Sequence, residues 1–301
     1  MKFCGKSPAL RVAAKRYQQL AQKQTPKFIL LTINTIYTTM TTLEAIKILK
    51  IDLTQGLVDR DQWCAEEYEF EITPKEFLNY SKQDFKSNDE KGNINALTNA
   101  KRAIDCQTDK LFFSIGLDPN DFPNKVIEEF ISKAENSPKK DLPIRLRLLQ
   151  CINFAPAKIV ADVRKIRHAL EHHYKNPSND EVSDAIELAQ LFIQATDSKL
   201  RNMIEFGLTD REKNKLADGH IWDSIWFHYK SDLGLFEVSW CLGKERQKTF
   251  TIENTSVEFY YILKIATSFE YFEDTEDVVI DWLQFIGHPI PKQHIKIDRD
   301  Y

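Results

Sequence analysis

Apolar residues recur at helical spacing through the middle of the chain. They fall three or four positions apart over residues 97–115, and the same spacing returns over residues 126–134, 144–152, 156–174 and 182–206. Gly116, Pro138 and Asn176-Pro177 interrupt these runs, because glycine and a residue before proline disfavour helical geometry. The pattern predicts four or five helices joined by short turns, which is a helical bundle over residues 91–207.

The pattern changes towards the C-terminus. Residues 221–229 and 235–241 are rich in aromatic and β-branched side chains, and the turn-like stretch Lys230-Ser-Asp-Leu-Gly234 separates them. This arrangement predicts a β-hairpin, to which residues 248–252 add a third strand and residues 256–269 a covering helix. Residues 208–301 are therefore predicted to form a small β-rich α+β unit.

The N-terminal part gives weaker patterns. Residues 43–49 indicate a short helix and residues 67–72 an exposed strand, while the polar residues 81–93 resemble a linker that ends an N-terminal region, residues 40–90. Residues 1–39 contain seven Lys or Arg and no Asp or Glu. Such a basic leader is typical of a transit peptide or a nucleic-acid arm, or it is an upstream read-through if translation begins at Met40. The predicted fold class is α+β, mainly helical.

Composition narrows the class of protein. The 301 residues are 42% hydrophobic, which allows a sizeable core, and no apolar run approaches the ~18 residues of a membrane span. The five cysteines are scattered and form no C-x-x-C pair, so neither a disulfide framework nor a zinc ribbon is indicated. We expect a protein of the reducing cytoplasm that does not enter the membrane.

Candidate chemistry is concentrated in residues 164–177, which read Arg-Lys-Ile-Arg-His-Ala-Leu-Glu-His-His-Tyr-Lys-Asn-Pro. Guanidinium groups, several imidazoles and a phenol gathered at one helix end are groups that phosphate chemistry uses. On an undistorted helix Arg167 and His172 lie about 140° apart, too divergent to reach one atom together. A second helix, or a second copy of this one, must complete any site.

The charge around this helix is basic in an otherwise acidic chain. Residues 139–175 hold nine Lys or Arg against Asp141, Asp162 and Glu171, while the whole chain has a formal net charge of -4. A basic helix fits contact with phosphates, although a basic run by itself is more often a solvated helix face.

The stretch Arg167-His-Ala-Leu-Glu-His172-His-Tyr174 resembles the signature of the HEPN superfamily, an Arg and a polar residue followed at fixed spacing by His near a helix end. It also matches the longer form, with Tyr two positions after His, of the toxins paired with minimal nucleotidyltransferases. Residues 95–105 look like the opening helix of such bundles. The resemblance covers residues 91–207 and implies metal-independent endoribonucleases without cofactors, often defence effectors, that act as homodimers with facing motifs.

The resemblance also implies roles for individual residues. His172 would move the proton in attack by the ribose 2'-hydroxyl, Arg167 would hold the scissile phosphate, and His168 would share either task. Glu171, Tyr174 and Arg164 would support them, and Tyr174 matches the residue that a nucleotidyltransferase partner modifies. The alternatives are an exposed helix-end histidine, an Arg167–Glu171 ion pair and a packed Tyr174 ring.

Other classes of site find less support. His168 and His172 could bind a metal at i and i+4, but no His-Glu-x-x-His pattern accompanies them. The nine glycines form no phosphate-binding loop, and no G-x-S-x-G occurs. The C-terminal aromatics either stack bases or, as we expect, form core; they are Trp222, Trp226, Phe227, Tyr229 and Trp240.

The sequence thus predicts a cytoplasmic HEPN-type endoribonuclease that binds RNA as a homodimer, with a toxin or antiviral role and an antitoxin or nucleotidyltransferase as a further partner. The alternative is a non-catalytic HEPN module that binds RNA or a partner protein.

Overall fold

The computed structural model describes residues 40–62, 70–134, 142–154, 170, 173–201, 204–216, 223–242, 245–269 and 272–299. The chain divides into two units, Met1–Thr39 and Met40–Tyr301. All described residues belong to the second unit, so the predicted basic leader lies outside them.

Several of the helices begin at a capping side chain, whereas two others begin after Pro123 and Pro143 without one. The side chains of Thr41 and Thr73 each accept a hydrogen bond from the backbone N–H of the glutamate three residues on. The side chain of that glutamate in turn accepts a hydrogen bond from the threonine backbone N–H. Asp89 and Ser256 cap two further helices. The helices of the described residues are α1 (Thr42–Leu49), α2 (Pro74–Phe85), α3 (Glu90–Ser114), α4 (Asn124–Lys133), α5 (Ile144–Cys151), α6 (Asn179–Arg201), α7 (Arg211–Leu216), α8 (Val257–Ser268) and α9 (Phe272–Phe285).

The strands form one mixed sheet. They are β1 (Gly56–Gln62), β2 (Ile204–Asp210), β3 (Ser224–Lys230), β4 (Leu235–Leu242), β5 (Glu245–Glu253) and β6 (Ile297–Arg299), in the spatial order β5-β4-β3-β2-β1-β6. β1 pairs with β6 in parallel, and the other neighbours are antiparallel. The architecture is therefore α+β.

One face of the sheet is packed against helices. Side chains alternate between the two faces of a strand, so Phe206, Phe227 and Phe236 all point to this face. The Phe227 ring meets Trp282 of α9 at 5.5 Å between centroids, and Phe236 meets Phe259 of α8 at 5.4 Å. These aromatic contacts bury the centre of the core.

The helices α2, α3 and α6 pack on one another. Ser81 of α2 is buried and donates a hydrogen bond to the backbone oxygen of Ala96 in α3, at 2.6 Å. From α3 to α6, Asn93 bonds Asn179 and Gln107 bonds Thr196. Because these contacts occur in the same order along both helices, α3 and α6 run parallel.

Most of the predicted elements are confirmed. The helices expected near residues 43–49, 97–115, 126–134, 144–152 and 182–206 correspond to α1, α3, α4, α5 and α6, the last of which ends at Arg201. The hairpin, the third strand and the covering helix correspond to β3, β4, β5 and α8. The α+β character of the C-terminal part is therefore confirmed. The helix predicted for residues 156–174 is not tested over residues 156–169, which lie outside the described part of the chain.

Three predictions need correction. The polar residues 81–93 are not a linker, because they form the end of α2, a short turn and the start of α3. Residues 70–72 are not a strand; the nearest strand is β1, and residues 67–69 lie outside the described part. Phe206 and Gly207 do not end a helix, because they lie within β2.

The predicted domain boundaries do not separate compact units. The boundary near residue 91 falls where α2 and α3 pack together, and the boundary near residue 207 falls inside a strand that pairs with both β1 and β3. One continuous core runs from Ala45 to Ile297. Residues 40–90, 91–207 and 208–301 are therefore parts of one unit.

Candidate functional site

The predicted catalytic stretch is described only at its end. Arg164, Arg167, His168, Glu171 and His172 lie outside the described residues. Leu170 and His173 are helical, and Leu170 packs against the core as its place on the predicted apolar face requires.

Tyr174 marks the end of that helix. Its φ of 51° is left-handed, and its side chain is 89% exposed. A left-handed residue is a common way to leave a helix, although a non-glycine residue is strained there. The ring has no packing role, so the packed-ring alternative for Tyr174 is wrong, and its hydroxyl is open to solvent.

The turn after Tyr174 is held by the next helix. The Ser178 backbone N–H donates to Glu181 Oε2 at 2.8 Å, and the Glu181 N–H donates to Ser178 Oγ at 3.2 Å. This is the capping box that the sequence predicts. Hydrogen bonds from the Ser178 backbone N–H and hydroxyl favour the charged form of the Glu181 carboxylate. The backbone bond has the larger effect, and together they lower the pKa of Glu181.

The end of the predicted motif helix leads to one end of the helical layer. Asn93 Nδ2 of α3 donates to Asn179 Oδ1 of α6 at 2.6 Å, and Asn179 Nδ2 donates to Asn88 Oδ1 at 3.2 Å. The N-termini of α3 and α6 are therefore fixed side by side, and α6 begins shortly after His173 and Tyr174 in sequence.

The basic charge counted from the sequence is partly neutralised. Arg147 forms a bidentate pair with Glu128 of α4, with both N···O distances at 2.9 Å. Arg145 pairs with Asp109 of α3 at 3.0 Å, and Lys175 lies 3.7 Å from Glu181. Three of the nine basic residues of 139–175 are therefore paired with carboxylates that lie outside that segment.

A cleft of ≈ 250 Å³ lies between α3 and α5. Arg145 and Asp109 line it together with Lys101 and Asp105, which also form an ion pair. Burial raises the pKa of Asp109 although Arg145 opposes this effect. Each of these cations already faces a carboxylate, so the cleft has no excess charge with which to hold an anion.

A second polar constellation lies on the sheet, and the sequence analysis missed it. His228 of β3 lies between Glu205 of β2 and Ser239 of β4, 2.9 Å from Glu205 Oε2 and 3.2 Å from Ser239 Oγ. Only the strand register brings these residues together, because no local motif contains them. The absence of G-x-S-x-G therefore did not exclude a Ser/His/acid arrangement.

The aromatic residues of the hairpin divide between the two faces. Phe227, Tyr229 and Trp240 are buried, which confirms the prediction that they form core. Trp226 is only partly buried and lies on the opposite face, beside His228. Trp222 lies outside the described residues.

The described residues contain neither a metal-binding cluster nor a membrane-spanning helix. In that part of the chain, no group of three or more His, Cys, Asp or Glu is placed to hold a metal. Nor does any helix there have the length and apolar character needed to cross a membrane. His168 and His172 lie outside the described residues.

Comparison with protein-family models, with curated proteins and with solved structures finds no match to this chain.

Proposed function

We propose that this protein is a HEPN-type endoribonuclease that cleaves RNA without a metal and acts as a homodimer. The observation that carries the proposal is the motif Arg167-x4-His172-x-Tyr174, which the sequence places at the end of a predicted basic helix. The chemistry of these residue types suits phosphate recognition by a guanidinium and proton transfer by an imidazole.

The described end of the motif supports an accessible site. Leu170 packs against the core, and Tyr174 is almost fully exposed four residues later. On the helix predicted for residues 156–174, His168 and His172 are each two residues from Leu170 and therefore point about 160° away from its direction. With Leu170 facing the core, both histidines would point away from the core. Both imidazoles would then face a nucleic acid strand or a second subunit.

The proposed reaction has two coupled proton transfers. His172 or its counterpart removes the proton of the ribose 2'-hydroxyl, and the 2'-oxygen attacks the adjacent phosphorus while Arg167 stabilises the developing negative charge. The bond to the 5'-oxygen breaks, and that oxygen takes a proton from an imidazole, His168 being a second candidate. The products are a 2',3'-cyclic phosphate and a 5'-hydroxyl end.

The test is cleavage of a mixed-sequence RNA in EDTA. We expect wild type to cut it and His172→Ala or Arg167→Ala to lose at least ~100-fold in rate, the usual contribution of a positioned acid–base group. His173→Ala is the matched control, because it removes a neighbouring exposed imidazole and should leave the rate unchanged. An RNA with a 2'-deoxyribose at each cut position should resist cleavage.

The shared site can be tested by mixing inactive subunits. If the facing motifs act jointly, mixed dimers of Arg167→Ala and His172→Ala regain part of the activity that each homodimer lacks. Growth arrest on expression, relieved by Arg167→Ala, supports the toxin role. A nucleotidyltransferase partner would find the Tyr174 hydroxyl accessible.

The alternative is a non-catalytic HEPN module that binds RNA or a partner protein. The cations Arg145, Arg147 and Lys175 are neutralised and leave fewer charges for phosphates, which within this alternative favours a partner protein over RNA. Binding of RNA without cleavage, by wild type and His172→Ala alike, would support it against the enzyme.

A further inference from the structure

The sheet has a second face that is polar. In the register of the sheet, Trp226 lies opposite Ser239, and His228 lies opposite Glu237. These residues alternate with the core residues of β3 and β4, so their side chains point away from α8 and α9. Glu205 occupies the same face on β2.

One tautomer of the neutral His228 ring satisfies both of its side-chain contacts. An ionised carboxylate accepts hydrogen bonds only, so Glu205 Oε2 at 2.9 Å requires a proton on His228 Nδ1. In the neutral imidazole the other ring nitrogen is then an acceptor, and the Ser239 hydroxyl donates to Nε2 at 3.2 Å. This is the order of contacts by which an acid and a histidine activate a serine.

The neighbouring aromatic ring is fixed beside this chain of contacts. Trp226 Nε1 donates to Ser224 Oγ at 2.9 Å, and the indole lies nearly parallel to the imidazole of His228, 6.2 Å between centroids. The indole covers Gly207, where an added Cβ would lie 2.7 Å from the ring. Trp226 therefore leans towards β2, whereas Ser239 lies on β4.

We infer that Ser239 is an activated nucleophile that accepts an acyl group from small, uncharged or cationic esters. This inference goes beyond RNA cleavage and uses none of the residues proposed for it. Glu205 and Glu237 on the same face disfavour an anionic ester, and the Trp226 indole offers an apolar surface to an aromatic or alkyl group.

The proposed reaction is acylation of Ser239 followed by hydrolysis of the acyl-serine. Ser239 Oγ attacks the carbonyl carbon while its proton passes to His228 Nε2, and the C–O bond to the alcohol breaks as the alcohol takes that proton. Water then attacks the acyl-serine with the same base, releasing the acid. Glu205 is a positioning residue, because it holds the tautomer of His228 without touching the ester.

Access to Ser239 limits the size of the ester. Ser239 is only 3% exposed, whereas the His228 and Glu205 side chains are 28% and 17% exposed. A small acetyl ester or a narrow fluorophosphonate is therefore the appropriate probe.

The experiment uses the full chain with a biotinylated alkyl fluorophosphonate, whose phosphorus forms a bond to serine oxygen with loss of fluoride. Peptide mass spectrometry should locate the label on Ser239, and Ser239→Ala should lose it. We expect His228→Gln and Glu205→Gln each to slow labelling at least ~100-fold. Thr251→Ala, an exposed change on β5 opposite Glu237, is the matched control and should label at the wild-type rate.

The pH profile distinguishes activation from structural support. Glu205→Gln should change the pH profile of labelling relative to wild type while its unfolding transition stays cooperative. The inference is overturned if wild-type Ser239 carries no label, or if folded His228→Gln labels as fast as wild type. Ser239→Ala should still cleave RNA if the proposed ribonuclease is correct, so the two proposals fail separately.

Discussion

Gly116, just after α3, lies directly against Gly234 in the turn between β3 and β4. A Cβ added to Gly116 would lie 2.7 Å from the Gly234 Cα, and both residues have positive φ, 62° and 60°. Beside them the Tyr229 hydroxyl donates a hydrogen bond to the backbone oxygen of Ile115. The end of the longest described helix is therefore joined to the hairpin by backbone contact that only glycine allows.

We expect Gly116→Ala to lower the free energy of unfolding by at least ~2 kcal/mol, because it adds a backbone clash to the strain of a positive φ. Gly287→Ala is the control. Gly287 also has a positive φ, 77°, but an added Cβ would meet nothing within 4 Å, so about 1 kcal/mol is expected. Equal losses for the two variants, measured by urea unfolding, would contradict a role for the close approach.

The sequence predicted the elements with strong local patterns and missed those defined by distant pairing. α1, α3 to α6 and the hairpin have clear periodicity or turn residues. β1 and β2 are seven residues each, and Gly56 pairs with Asp210 across about half of the chain, so no local signal identifies them. Ser81 appeared to belong to a polar linker, yet its hydroxyl is satisfied inside the helical layer.

The candidate sites follow the same division. The motif around Arg167 and His172 is continuous in sequence, so it could be recognised without a structure. Glu205, His228 and Ser239 come from three strands, and only the register of the sheet makes them neighbours. The charge count failed in part for the same reason, because the partners of Arg145 and Arg147 are distant in sequence.

A fragment of residues 91–207 should not fold by itself. It would lack α2, which packs on α3, and it would cut β2 before its pairing with β1 and β3 is complete. We expect no cooperative thermal transition by circular dichroism, whereas residues 40–301 should unfold in one transition. A fragment that melts cooperatively near the temperature of residues 40–301 would restore the predicted domain boundaries.

Tyr174 should contribute little to stability. Because its ring is exposed, Tyr174→Ala should change the free energy of unfolding by less than about 0.5 kcal/mol. Tyr174→Gly should raise it by ~0.5–1 kcal/mol, since glycine adopts the left-handed conformation without strain. A large loss of stability in Tyr174→Ala would contradict this view. Loss of RNA cleavage in Tyr174→Phe, with stability unchanged, would assign a role to the hydroxyl.

Glu258 should make stability depend on pH. Burial raises the pKa of this carboxyl, although its Oε1 accepts a hydrogen bond from Trp282 Nε1 at 3.3 Å. A raised pKa in the folded state means that the unfolded chain loses this proton first as the pH rises. The contribution of Glu258 to stability is therefore greatest below the unfolded pKa of a glutamate, and it falls as the pH rises towards the folded pKa.

The measurement is urea unfolding of wild type and Glu258→Gln between pH 4 and pH 7. Glutamine keeps an oxygen that can accept from Trp282 but carries no charge to desolvate, so its advantage over wild type should grow as the pH rises. Glu187→Gln, an exposed change on α6, controls for the loss of one negative charge and should show no such trend. If the difference between Glu258→Gln and wild type were the same at both ends of the range, the buried carboxyl would not titrate differently in the folded and unfolded states.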